Sequence, residues 1–157
     1  MQPTTFEYIR IITTPLGNMI AVADENAIIS LDFVDEVPRT QNSDHPLLLR
    51  LEKELNEYLA GKRKTFTLPL NPQGTPFQKG VWETLQTISY GETISYAQEA
   101  ERFGNQKATR AVANANGKNP IAILIPCHRV IATGGGLGGY SGGVDKKEFL
   151  LELEKNH

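Results

Sequence analysis

The chain has one cysteine, Cys127, and His128 and Arg129 follow it directly. The thiolate is the nucleophilic form of cysteine, and neighbouring cations favour it over the thiol. Alone, a cysteine is more often a small buried hydrophobe than a reagent. Its surroundings point the other way. The run Ile121 to Ile125, bounded by Pro120 and Pro126, is too short for three helical turns and predicts a fully buried strand that delivers Cys127 to a site. A nucleophile also needs a base and a group that orients the base. His128 is the candidate base or proton conduit. The orienting group is sought in the last helix, where Leu150 and Leu153 face inward and Glu154 lies one turn beyond Leu150 on the same side. A carboxylate on an apolar face costs several kcal/mol unless it is paired, so Glu154 needs a partner.

The elements around the cysteine belong to a binding module. Thr75 caps a helix with Pro76 at its first position and a stripe of Phe77, Val81, Leu85 and Ile88, with Trp82 beside it. Ser95-Tyr96-Ala97-Gln98 is a capping box that opens a short helix ending at Gly104, and a third helix is expected from about Gln106 to Asn116. Two short helices joined by a tight Gly-containing turn form a helix-turn-helix pattern. The third helix is built of small residues, Ala108, Ala111, Ala113 and Ala115, with Asn114 and Asn116 and one long cation in its middle, Arg110. A helix reading major-groove base edges would carry more long donors, so this one suits a narrower groove or tight packing. Past the cysteine, the glycine-rich run from Gly134 to Gly143 has neither the lysine of a phosphate loop nor the spacing of a dinucleotide fingerprint. Its glycines let backbone amides and Tyr140 approach a ligand. The last helix is expected to open with Asp145 as cap, Glu148 three residues on, and Val144 stapled to Phe149.

The first half reads differently. From Thr4 to Asp35, β-branched and aromatic residues alternate with turns at Pro15 to Asn18 and Asp24 to Asn26, predicting an antiparallel meander. A helix follows, with Leu47, Leu48, Leu51, Leu55, Tyr58 and Leu59 on one face, Arg50, Lys53, Glu54 and Glu57 elsewhere, and Gly61 at its end. Thr65 to Leu70 is a candidate last strand, and Asn71-Pro72-Gln73-Gly74 is the linker. The boundary is therefore expected between residues 1–72 and 73–157. Asp32, Asp35 and Glu36 read as solvated carboxylates rather than a metal site.

The order of motifs, Asn119-Pro120, then Ile-Pro-Cys-His-Arg-Val, then Tyr-Ser-Gly-Gly, resembles the active-site signature of the O6-alkylguanine-DNA alkyltransferases, strongly over the C-terminal half. The resemblance implies an α+β architecture: an N-terminal α/β domain with a small antiparallel sheet, ribonuclease-H-like, and a mostly helical, winged helix-turn-helix-like DNA-binding domain that carries the active site. It implies that Cys127 takes the alkyl group from O6 of guanine (and O4 of thymine) in double-stranded DNA, on a base turned out of the duplex. A water would relay the proton to His128, with Glu154 behind it, and Asn119 would hold the cysteine segment. Tyr96 would donate to the purine as charge builds on the leaving base, and Tyr140 would form the pocket wall. The Ser141 amide would face O6, and the carbonyls of Cys127 and Val130 would accept from the exocyclic amine. Arg110 would replace the flipped nucleotide in the stack, with Ala108, Ala111 and Asn116 lining the groove. Nothing would regenerate the thiol from a thioether, so the protein would act once per molecule.

Composition bounds the alternatives. One cysteine excludes an internal disulfide and, with His45, His128 and His157 scattered, any zinc-finger spacing. No cofactor or metal is expected. The net charge of −2 conceals an asymmetry: residues 1–72 carry 7 basic and 10 acidic side chains, and residues 101–150 carry 7 basic and 3 acidic. The cysteine half is the half suited to a polyanion. No apolar stretch suits a membrane and no secretory signal opens the chain, so a monomer in the cytoplasm, or in a eukaryotic nucleus, is expected. Two other readings compete. A cysteine hydrolase would turn over repeatedly, and a non-enzymatic reader of alkylated bases would have no use for Cys127.

Overall fold

The computed structural model describes residues 6–157, so the expected start of the meander at Thr4 lies outside the described residues. The chain divides between Pro72 and Gln73 into two compact units. In the first, β1 (Tyr8–Thr14), β2 (Gly17–Ala23) and β3 (Ile28–Phe33) form an antiparallel sheet in sequential order. Ile12, Met19, Ala21, Ala23, Ile28 and Leu31 are its buried apolar residues. Against them lies α1 (Pro46–Leu59), burying Leu48, Leu51, Leu55, Tyr58 and Leu59.

Two expectations for this unit need correction. Glu54, assigned to the outer face of α1, is buried, where it accepts from Thr67 N at 2.8 Å and pairs with Arg50 at 3.4 Å. Residues 65–70 form no strand; they make one parallel bridge, Ile28 to Leu70. The two corrections share a cause, because Thr67 spends its amide on Glu54 and Pro69 has no amide to give a ladder.

The second unit is built from α2 (Pro76–Leu85), β4 (Ile94–Ser95), α3 (Tyr96–Phe103), α4 (Thr109–Asn116), β5 (Val130–Ile131) and α5 (Val144–Asn156). Both capping boxes form: Thr75 with Gln78, and Ser95 with Gln98. Gly104, at φ 101°, closes α3 in the left-handed conformation a side chain would resist. β4 pairs with β5 in parallel and ties the start of α3 to the residues after the cysteine. The Trp82 indole donates to Ala115 O at 2.9 Å, fixing the end of α4 against α2.

The expected third helix is two pieces, a 3-10 turn at Gln106–Ala108 and then α4, because Asn105 caps Lys107 N and starts a separate turn. Helix α5 is capped at Gly143, not Asp145. Asp145 lies in the first turn, where its charge complements the helix dipole, and Val144 and Phe149 are both exposed rather than stapled.

Candidate active site

The largest departure from expectation lies at the cysteine. Residues 121–125 are not a strand. They fold into a tight, wholly buried turn in which Leu124 N donates to Ala122 O and Ile125 N to Ile121 O. Ile123 sits at φ 71°, a left-handed conformation that costs a β-branched residue on the order of 1–3 kcal/mol. A buried turn is viable only if its polar backbone finds partners. Asn119 supplies them: its Oδ1 accepts from Ile121 N at 3.0 Å and its Nδ2 donates to Ile125 O at 2.8 Å. One carboxamide thus does the work of a neighbouring strand. The turn delivers the chain into a 3-10 segment, Cys127–Arg129.

Cys127 is 9% exposed and lines a cavity of about 340 Å³ with Tyr96, Ala113, Asn116, Gly139, Tyr140 and Ser141. Asn119 Nδ2 donates to its sulfur at 3.4 Å. Burial pushes the thiol up, opposed by the Asn119 bond and by the charge of Lys147. Of the two cations expected beside the sulfur, His128 and Arg129, the guanidinium is committed elsewhere. It grips Glu154 with a two-pronged fork, Nε to Oε1 at 2.8 Å and Nη2 to Oε2 at 2.9 Å, and its Nη1 donates to Ile88 O at 2.7 Å.

Glu154 therefore has its partners. Gly91 N donates to Oε1 at 3.2 Å, and His128 Nε2 lies 2.8 Å from Oε2. A carboxylate held by a guanidinium only accepts, so His128 Nε2 carries the hydrogen and Nδ1 keeps the free lone pair. His128 is fully buried, and burial drives its pKa down, with Glu154 pulling the other way. The imidazole rests neutral, and its Nδ1, without a hydrogen-bond partner among the described residues, is available to take a proton.

Tyr96 enters the cavity from the first turn of α3. Burial raises its phenol, while a backbone hydrogen bond from Gly139 lowers it. Gly138 is required there: it sits at φ 73°, and a Cβ on it would come within 2.6 Å of Tyr96 Oη. Lys147, 0% exposed, donates to Val130 O at 2.6 Å and Gly139 O at 3.1 Å, pinning the glycine-rich loop to the residues after the cysteine. Val130 is fully buried and absent from the cavity wall, with one carbonyl lone pair taken by Lys147. Arg110 and Ala111 are exposed on α4, and Ala108 is half-buried. Asn116, expected with them at the groove, turns inward instead, donating to Glu99 at 2.7 Å and lining the cavity.

Sequence reading missed Lys147, Glu99 and the Arg129 fork. The spacing that singled out Glu154 also puts Lys147 on the same face, three residues before Leu150. Glu99, three residues after Tyr96, offered the same kind of signal. Among the described residues no group of His, Cys, Asp or Glu could hold a metal ion, and no helix is long and apolar enough to cross a membrane.

Comparison with known proteins agrees with this geometry. Residues 76–156 match the family described as 6-O-methylguanine DNA methyltransferase, DNA binding domain, and residues 8–72 match its ribonuclease-like domain. The chain is 43% identical over 152 residues to the methylated-DNA–protein-cysteine methyltransferase of Methanosarcina acetivorans, covering 94% of this chain and 97% of that protein. It is 46% identical over 151 residues to the constitutive enzyme of that name from Bacillus subtilis, covering 90% and 92%. The crystal structure of Mycobacterium tuberculosis OGT in complex with DNA superposes with a TM-score of 0.86 at 42% identity, over 94% of this chain and 92% of that one. Likeness of that degree, carried through both units, means that the chain belongs to the 6-O-methylguanine DNA methyltransferase family.

Proposed function

We propose that this chain repairs double-stranded DNA by moving the alkyl group of O6-alkylguanine onto its own Cys127, as a monomer without metal or cofactor. The Cys127 sulfur attacks the alkyl carbon in line, the S–C bond forms as the C–O6 bond breaks, and the base leaves as an anion. The thiol proton passes through a bridging water to His128 Nδ1, and Glu154 steadies the imidazolium. Tyr96 donates to the purine as its charge grows. Asn119 braces the cysteine turn, Tyr140 and Ser141 hold the base, and the second lone pair of Val130 O joins Cys127 O in accepting from the exocyclic amine. Arg110 fills the stack vacated by the flipped nucleotide, with Ala108 and Ala111 permitting close approach. O4-alkylthymine presents the same oxygen–carbon bond and is the second substrate of this reading. The site of action is the cytoplasm, or the nucleus of a eukaryote.

One observation carries the reading: the chain's single thiol opens onto a cavity while a buried imidazole–carboxylate pair stands beside it. Mass spectrometry after incubation with excess O6-methylguanine DNA tests it. The Cys127 peptide should gain one CH2, with one transfer per chain. Sustained turnover would favour a hydrolase, and an unmodified peptide a non-enzymatic reader.

A further inference from the structure

Behind the cavity lies a buried acid that the reaction above does not use. Glu99, on α3, is 0% exposed. Its Oε1 accepts from Asn116 Nδ2 at 2.7 Å, while its Oε2 and Asn116 Oδ1 are both buried without a hydrogen-bond partner among the described residues. Two orphan acceptors on side chains already joined at their other ends are what one missing proton leaves behind. Placed on Glu99 Oε2, that proton turns one orphan into a donor for the other and closes a carboxylic acid–carboxamide pair.

The pair stands in the wall of the reactive site. Asn116 lines the cavity with Cys127 and Tyr96, and Lys147 is anchored to Gly139 on the same wall. The ionisable groups around the sulfur are Tyr96 and Glu99 from α3, Tyr140 from the glycine-rich loop, Lys147 and Glu154 from α5, and His128 and Arg129 from its own turn; α4 contributes the neutral Asn116. Arg129 and Glu154 neutralise one another. Among the described residues that leaves Lys147 as the cation on which both anions, Glu99 and the Cys127 thiolate, act.

We propose that Glu99 is a positioning residue that governs the thiolate of Cys127 through its own proton: protonated, it leaves the charge of Lys147 to the sulfur, and ionised, it takes that charge and opposes the thiolate. The consequence is a coupled pair in which the first anion to form hinders the second. Burial pushes the Glu99 carboxyl up to about 7, so the exchange falls within the working range of pH. This extends the proposed alkyl transfer but concerns the sulfur alone, and it is testable without DNA.

The test is the rate of Cys127 alkylation by iodoacetamide against pH, in the full chain, for wild type, Glu99→Gln and Glu99→Leu. Gln keeps the pairing with Asn116 and removes the charge; Leu removes both. Each variant should move the reactivity profile to lower pH and raise the rate above neutrality roughly three- to tenfold, the scale of one neighbouring unit charge. In wild type, the infrared carbonyl band of a neutral carboxyl, absent from Glu99→Gln, should fade as pH rises through about 7. Unchanged profiles in both variants, or no such band, would overturn the proposal. Changed profiles with no transfer from O6-methylguanine DNA would uphold it and refute the repair function, and transfer with unchanged profiles would do the reverse.

Discussion

At the scale of single residues, the second unit holds its buried carboxyl groups in two places. Arg129 and Glu154 form one, fully satisfied, with His128 hung on its edge. Removing one partner of such a pair strands the other in a dry site, at a cost of about 3–5 kcal/mol. Glu154→Gln should therefore lower stability by about that much in urea unfolding. It should also slow alkyl transfer roughly 100-fold or more, since the imidazolium loses its counter-charge. Transfer at the wild-type rate would remove His128 and Glu154 from the proton path. The second place is Glu99, whose folded pKa of about 7 lies above its ordinary value of 4.5. A raised carboxyl contributes stability that is whole below the unfolded value and is lost as pH rises through the folded one. The melting temperature of wild type should thus fall relative to Glu99→Gln between about pH 5 and pH 8. Parallel curves would mean that Glu99 is ionised throughout.

At the scale of elements, the site depends on a loop and a turn that have no regular structure. The glycine-rich loop reaches Tyr96 because Gly138 combines a positive φ with the absence of a side chain. Gly138→Ala introduces both strain and a clash with the phenol. It should cut the transfer rate at least about tenfold while leaving far-ultraviolet circular dichroism unchanged, because only the loop and Tyr96 must move. A normal rate would show that Tyr96 need not hold this position. The turn before Cys127 is held the same way, by one Asn119 side chain in place of a ladder. The resemblance pointed to Asn119 as the residue holding the cysteine segment, but the turn it braces and the contact of Gly138 with Tyr96 were not legible in the sequence. An all-apolar run of five residues fits a buried strand and a buried turn equally, and only the backbone partners of Asn119 distinguish them.

At the scale of the molecule, the functional surface lies in one unit. The segment carrying Cys127 also carries the positive surplus, and the exposed cations by α4 are Lys107, Arg110 and Lys118. Two or three phosphate contacts from these side chains would give a shallow dependence of affinity on salt, a log–log slope of roughly −2 to −3 for duplex DNA. Cys127→Ala should keep both affinity and slope. Arg110→Ala should weaken binding to DNA holding O6-methylguanine more than to undamaged DNA, as expected of a side chain that fills a vacated stack. Equal losses on both DNAs would assign Arg110 to the backbone instead.

By itself, the sequence determined the features that rest on neighbours along the chain. The capping boxes at Thr75 and Ser95, the left-handed glycine at Gly104, the inward face of α5 and the adjacency of Cys127 and His128 are all set within a few residues, where local hydrogen bonding and helical spacing decide the outcome. Only the tertiary structure decided which cation serves which anion. Arg129 is two residues from Cys127 yet bonds to Glu154, while Lys147, twenty residues away, is the cation whose charge favours the thiolate. Charges in a dry interior pair by distance and available geometry in space, and sequence separation carries no information about either.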